Sequence, residues 1–187
     1  MTAIVAIRNA SETCIVVSAD SLVGGDEYGN NPWIGQKLSI LAGRIGVLSV
    51  GRGPDVHTEI RKMQFMTNCA GDVAQRLRDR FIGLPKELVF SICAAGFQHE
   101  RAVILCVNFP SGAISEPLPV VVAHPSSNDA YSKLLELSQD PNIEANELCR
   151  RVHGLIVEAI ELTPKTVGPP IVTYAITKDG AHPWMPD

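Results

Sequence analysis

The sequence has few aromatic residues, no excess of basic charge and no long apolar run, and each shortage excludes a class of function. Aromatic residues make up 5% of the 187 residues, and the formal net charge is −4. This charge, without any basic run carrying interleaved aromatic residues, argues against nucleic acid or an anionic membrane surface as a partner. No apolar run approaches the ~20 residues that a membrane-spanning helix requires. We therefore expect a cytoplasmic protein that binds neither nucleic acid nor membrane.

The cysteines are scattered and odd in number, and their spacing points to no metal or redox site. The five cysteines are Cys14, Cys69, Cys93, Cys106 and Cys149. None of them has the CxxC spacing of such sites, and none of the five histidines has metal-type spacing, so the sequence predicts no metal and no cofactor. Cys14, Cys93 and Cys106 lie in apolar, strand-like runs, which predicts buried, reduced thiols.

Hydrophobic residues are abundant enough for a sizeable core, and their spacing predicts a layered α+β fold. They make up 45% of a chain whose length fits one domain spanning residues 1–187. Hairpins of apolar strands alternate with pairs of amphipathic helices, an order typical of two packed antiparallel sheets between two helical layers. The predicted strands are 3–7, 14–17, 33–41, 44–50, 88–95, 102–109, 119–123 and 171–176. The first predicted helix starts at 56 and has Val56, Ile60, Met63 and Thr67 on one face, and the other predicted helices cover 72–81, 127–137 and 143–162.

The most informative stretch is the first strand, because a hydroxyl residue stands second in the chain. If Met1 is removed, Thr2 carries a free α-amine and a hydroxyl, which are a base and a nucleophile on one residue. Asp20 follows the second predicted strand in Ser18-Ala-Asp-Ser21, and Lys37 lies in the third. Together these residues suggest a site near the start of the chain.

This arrangement resembles the proteasome β-subunit family of N-terminal nucleophile (Ntn) hydrolases, which includes a bacterial two-component peptidase. The matching features are Thr2 before strand one, Asp20 after strand two, Lys37 in strand three and a glycine turn that begins at Gly51. The resemblance implies the four-layer αββα sandwich of these hydrolases and a threonine-type amidohydrolase. It implies that Thr2 attacks an amide carbonyl, that Lys37 lowers the pKa of the hydroxyl and that Asp20 orients Lys37. The backbone N–H of Gly51 would stabilise the oxyanion.

The chain departs from the family pattern at three positions near the expected site. Pro125 stands where the family has the serine of a Gly-Ser-Gly turn. Pro164 and Val167 stand where the family has an Asp-x-x-Ser motif, and Arg52 replaces the second glycine of the Gly51 turn. These replacements predict a slow enzyme or an inactive one.

Two functions therefore stay open, and both include self-association. The first is a threonine peptidase, or a hydrolase of a small amide, in a ring like those of the family. The second is a catalytically inactive protein of the same fold that acts as a scaffold or binding module. Among the histidines, His57 and His153 are expected on helices, solvated or packed, and His124 is a candidate pocket residue beside Pro125.

Overall fold

A computed structural model describes residues 2–23, 33–34, 36–51, 55–63, 67 and 69–186, and these form two five-stranded antiparallel sheets and four helices. The strands are β1 (Ile4–Arg8), β2 (Ile15–Ala19), β3 (Leu22–Val23), β4 (Trp33–Ile34), β5 (Leu38–Leu41), β6 (Ile45–Gly51), β7 (Phe90–Gln98), β8 (Arg101–Phe109), β9 (Ala113–Ile114), β10 (Val120–Ala123), β11 (Val172–Thr177) and β12 (Gly180–Trp184). The helices are α1 (Val56–Lys62), α2 (Ala70–Phe81), α3 (Ser127–Gln139) and α4 (Ala145–Leu162).

Sheet one has the strand order β10-β1-β2-β11-β12, and it holds the start of the chain at its centre. β1 and β2 are rich in β-branched residues and buried on both faces, which explains their nearly continuous apolar sequences. Ile4 of β1 pairs with Ala19 of β2 on one side and with Ala123 of β10 on the other. The segments before Ile4, after Ala19 and after Ala123 therefore meet at one end of the sheet.

Sheet two has the order β5-β6-β7-β8-β9 and contains the longest hairpin of the fold. β7 and β8 pair along nine residues each, and a two-residue turn with positive φ at His99 and Glu100 joins them. β5 and β6 pair through a tight turn at Ala42 and Gly43. Both hairpins agree with the predicted strand pairs.

Three hydrophobic cores separate four layers, and this confirms two packed sheets with a helix pair outside each. The first core lies between sheet one and α3 with α4, and the second lies between sheet two and α1 with α2. The third fills the space between the sheets. Fully buried members are Val5, Leu134 and Ile156 in the first core, Ile60, Leu77 and Ile92 in the second, and Ile4, Leu48 and Ile104 in the third.

The predicted strand 33–41 is wrong as one element, because the chain divides there between two small pairings. β4 pairs with β3, whereas β5 joins sheet two beside β6. Gln36 and Lys37 lie between the two strands, and the Lys37 side chain is hydrogen bonded to Asp20 at the end of β2. The lysine therefore precedes β5 instead of lying within a strand.

The helices begin and end close to the predicted residues, with one exception at the end of α1. Asp55 caps α1, since its carboxylate accepts the Thr58 N–H at 3.0 Å. The apolar spacing suggested a helix continuing through Met63 to Thr67, but Met63 has extended backbone and ends the helix. Within the described ranges, no helix is both long and apolar enough to cross a lipid bilayer.

The expectation of reduced thiols is wrong for one pair of cysteines. Cys93 in β7 is directly opposite Cys106 in β8, and the two form a disulfide. The register of the hairpin places their Cα atoms 4.2 Å apart, which a scan for short cysteine motifs does not reveal. Cys14 and Cys149 are free and buried, as predicted for Cys14.

Candidate active site

Asp20 is the hub of the site, because its carboxylate joins three segments of the chain. It follows β2 directly and is fully buried. One oxygen accepts the Ala3 N–H at 2.9 Å, and the other accepts the Gly168 N–H at 3.2 Å. Both oxygens lie 2.8 Å from the Nζ of Lys37. The carboxylate thus connects the start of β1, the residue before β5 and the segment that leads to β11.

Lys37 is almost as inaccessible as its partner, with 6% of its surface exposed. Burial lowers the pKa of Lys37, because an ammonium loses its hydration there, and the hydrogen bond and charge of Asp20 act in the opposite direction. The Lys37 carbonyl accepts the Ser49 N–H of β6 at 3.3 Å, so its backbone is also attached to sheet two. The result is a buried ion pair between the end of β2 in sheet one and the start of β5 in sheet two, which we call the Lys37–Asp20 pair.

Thr2 lies next to this pair through its neighbour Ala3. The Ala3 N–H is bound by the Asp20 carboxylate, and the Ala3 carbonyl accepts the Asp20 N–H at 3.0 Å, which extends the ladder beyond β1. Strand alternation places Thr2 on the face that carries Ile4, a member of the core between the sheets. Thr2 itself is half-buried, and Met1, whose removal the sequence analysis considers, lies outside the described residues.

Gly51 ends β6 and has a conformation that other residues rarely adopt. Its φ is +106°, and a Cβ built on it would lie 2.6 Å from the carbonyl oxygen of Val89 in the chain before β7. Ser49, bonded to Lys37, is only two residues earlier, so Gly51 lies at the same end of sheet two as the ion pair. The backbone geometry therefore requires a glycine at position 51. The next residue, Arg52, lies outside the described residues.

The turn that contains Pro125 is built around a buried histidine. β10 ends at Ala123, which pairs with Ile4 of β1, so the turn that follows lies at the same end of sheet one as Thr2. His124 donates from Nε2 to the Leu155 carbonyl at 2.9 Å and accepts the Ser126 N–H on Nδ1 at 3.0 Å. Both ring nitrogens of His124 are therefore engaged in shaping the turn, which argues against the predicted role as a pocket residue.

The segment around Pro164 and Val167 supports Asp20 through its backbone, although neither residue has a polar side chain. Val167 is fully buried in the core under α4, and its N–H bonds the Thr163 carbonyl at 3.0 Å. The next residue, Gly168, donates its N–H to Asp20 and accepts the Ser21 N–H on its carbonyl at 3.1 Å. Sequence analysis missed Gly168, because a backbone donor carries no residue signature.

Two serines near Asp20 have different surroundings. The Ser18 hydroxyl is 2.7 Å from the Thr173 hydroxyl, and His153 Nδ1 lies 3.2 Å from the same threonine. These three residues link β2, β11 and α4 on the outer side of sheet one. Ser18 therefore contributes to packing beneath α4, whereas Ser21 contributes its backbone N–H to Gly168.

Comparisons with other proteins leave the family unassigned, and the described residues suggest no metal centre. No protein-family model matches the chain, and no curated protein matches it either. Among the described residues, no group of three or more histidine, cysteine or carboxylate side chains could hold a metal ion. The chemistry of the site therefore has to be argued from the Lys37–Asp20 pair and its neighbours.

Proposed function

We propose that this chain is a threonine-type N-terminal nucleophile hydrolase that cleaves a peptide or small amide through Thr2. One observation carries the proposal: the Asp20 carboxylate binds the Ala3 N–H and the Lys37 ammonium at the same time. The Lys37 ammonium and the N–H of the residue after Thr2 are thereby held by one carboxylate. The predicted Ntn type of the αββα sandwich belongs to the same proposal.

The proposed reaction uses the hydroxyl and the α-amine of Thr2 after Met1 has been removed. The amine takes the hydroxyl proton as the oxygen attacks the amide carbon, and the oxyanion is stabilised by the Gly51 N–H. The C–N bond breaks, the leaving amine takes the proton, and an ester on Thr2 remains for water to hydrolyse. Lys37 favours the neutral amine and the developing alkoxide, because a nearby positive charge lowers the pKa of both groups. Asp20 positions Lys37.

The test combines the mass of the mature chain with labelling by an electrophile. An epoxyketone can add to the hydroxyl and the amine of one N-terminal threonine, so a single adduct requires both groups to be free. We expect the mature protein to lack Met1, and we expect Thr2→Ala and Lys37→Ala to abolish labelling and amide hydrolysis. Lys178→Ala is the matched control, because Lys178 is an exposed lysine paired with Glu100. A chain that retains Met1 would disprove the proposal, because the amine would be acylated.

The second candidate is a scaffold of the same fold without hydrolytic activity. It is favoured by the replacement of two supporting hydroxyl residues: Pro125 lies in the turn after β10, and Val167 is buried in the core. Loss of Met1 without any adduct at Thr2 would support this candidate over the enzyme.

Both candidates include a homo-oligomer, which the family resemblance suggests is a ring. The helices between residues 55 and 81 fill the second core with their apolar residues, and we propose that their charged residues, including Arg76, Arg78, Asp79 and Arg80, contact a neighbouring subunit. Light scattering at micromolar concentration should then give a mass well above the 20.2 kDa of one chain. A species of 20.2 kDa alone would contradict the assembly.

A further inference from the structure

A chain of hydrogen bonds around the buried side chain of His57 connects α1 to the two strands beside Lys37. His57, the second residue of α1, is 2% exposed. Its Nδ1 lies 2.8 Å from the Ser39 hydroxyl in β5, and its Nε2 lies 2.9 Å from the Ser49 hydroxyl in β6. One imidazole ring therefore ties a helix to two paired strands.

The direction of these bonds follows from the donor at one end. The side-chain amide of Gln36 donates to the Ser39 oxygen at 3.0 Å, which leaves the Ser39 proton for Nδ1 of His57. Nε2 then carries the ring proton and donates to Ser49. Burial keeps the ring neutral at physiological pH, because it lowers the pKa of His57 to about 4. Each bond in the chain Gln36–Ser39–His57–Ser49 thus has one donor and one acceptor.

This chain of hydrogen bonds contacts the backbone on both sides of Lys37. Gln36 precedes Lys37 and also donates to the Leu38 carbonyl at 2.8 Å, so it bridges the lysine. Ser49 donates its N–H to the Lys37 carbonyl at 3.3 Å and its hydroxyl lies on His57. The position of Lys37 relative to β6 and α1 is therefore fixed by directional bonds.

Apolar residues of α1 also contact sheet two, which makes the polar chain informative. The core there contains Val56 and Ile60 of α1, and an apolar ring at position 57 would fill the same space without burying polar groups. Hydrogen bonds fix the relative position of two elements more narrowly than apolar contacts do. We propose that His57 is a positioning residue that holds Lys37 so that its Nζ reaches both Asp20 oxygens. The inference rests on the proposed function, since it assigns His57 a role in that site.

The experiment removes the hydrogen bonds while keeping the volume of the ring. His57→Phe is the test variant, and the double variant Ser39→Ala, Ser49→Ala removes the partners and leaves the histidine in place. His153→Phe is the matched control, because His153 is also a helical histidine bonded to a hydroxyl, beneath the other sheet. Should His57→Phe fail to fold, the double variant supplies the same measurements.

The first measurement is the kinetics of labelling with an epoxyketone. We expect the rate constant of adduct formation at saturating reagent to fall at least about tenfold in His57→Phe. Small displacements of the groups that assist a reaction change its rate by this much or more. The reagent concentration that gives half the maximal rate should stay the same, since reagent binding does not involve Lys37. His153→Phe should label like the wild type. Labelling of a folded His57→Phe at the wild-type rate would overturn the inference.

The second measurement reads Lys37 directly and does not need activity. Lysine labelled with ¹³C at Cε gives one signal that Lys37→Met removes. In His57→Phe we expect the chemical shift of this signal to move towards those of the exposed lysines, while the shifts of all other lysines stay the same. An unchanged shift for Lys37 would overturn the inference. A wild-type protein that forms no adduct would disprove the proposed function, and the Lys37 signal would still decide whether His57 positions Lys37.

Discussion

Replacing Asp20 by asparagine should destabilise the protein far more than the loss of an ordinary ion pair. The carboxylate is fully buried, and it faces an ammonium that is 6% exposed. Removing one partner of a buried pair typically costs about 3–5 kcal/mol, because the other charge is left uncompensated. Asparagine also presents an amide NH₂ where one carboxylate oxygen accepts hydrogen bonds, and a buried donor without an acceptor costs about 1–3 kcal/mol. We expect a loss near 5 kcal/mol in the free energy of unfolding.

Urea unfolding with a second substitution separates the charge from the hydrogen bonds. In Asp20→Asn, Lys37→Met the buried charge is gone, so the double variant should be more stable than Asp20→Asn alone by about 2 kcal/mol. Asp129→Asn is the matched control, since Asp129 pairs with Lys133 at 2.7 Å but both side chains are about half exposed. That substitution should cost less than about 1 kcal/mol.

The reasoning is refuted by either of two results. Asp20→Asn could cost no more than the exposed control, which would mean that the buried pair carries no special electrostatic energy. Alternatively, the double variant could be no more stable than Asp20→Asn, which would mean that the uncompensated ammonium of Lys37 is not the cause. Equal slopes of the unfolding free energy against urea are required for the comparison, because a changed slope indicates a different unfolded state.

Three further predictions concern backbone, pH and redox state. Gly51→Ala should lower the unfolding free energy by about 3 kcal/mol, because the new side chain meets both a positive φ and a clash with the Val89 carbonyl. Gly43→Ala is the control with φ +66° and open space, and it should lower the unfolding free energy by only about 1 kcal/mol. Equal losses in the two variants would contradict the clash. Between pH 6.5 and about 4 the unfolded chain binds a proton that His57 in the folded protein does not, so unfolding free energy should fall by about 3 kcal/mol as the pH is lowered through this window. His57→Gln should flatten that slope in urea titrations, and an unchanged slope would refute the assignment. Thiol titration in denaturant should find three of the five cysteines free, and five would show that Cys93 and Cys106 are reduced.

Much of the fold could be predicted because its strands and helices have clear periodicity. β1 and β2 are apolar on both faces, and α4 carries its apolar residues at helical spacing, so each was found within a few residues. The division of the predicted strand 33–41 was missed, because nothing in its apolar pattern shows that Lys37 is bound to Asp20 across the fold. That contact depends on two segments meeting, and local sequence does not contain it.

In the candidate site, too, residues with a local sequence signal were predicted, and residues that act through contacts between distant segments were not. Asp20 and Lys37 were identified because their places in the chain, with Thr2 before them, resemble the pattern of the proteasome β-subunit family. Gly168 acts through its N–H, and His57 acts through two serines that are ordinary residues in their strands. Backbone donors and bonds between separate elements become visible only once the register of the sheets is known.

The Lys37–Asp20 pair is also the strongest argument for weighing the enzyme above the scaffold. Burying an ammonium and a carboxylate together stabilises a fold no better than an apolar pair of the same volume would. Here the fold commits two backbone donors, from Ala3 and Gly168, to the same carboxylate, so the charge of Asp20 is held in place from three directions. The arrangement joins three segments of the chain in either candidate, but only a nucleophile beside it makes use of a fixed positive charge in a poorly solvated place. The Gly168 bond also shows how Asp20 can stay oriented although Pro164 and Val167 supply no polar side chain.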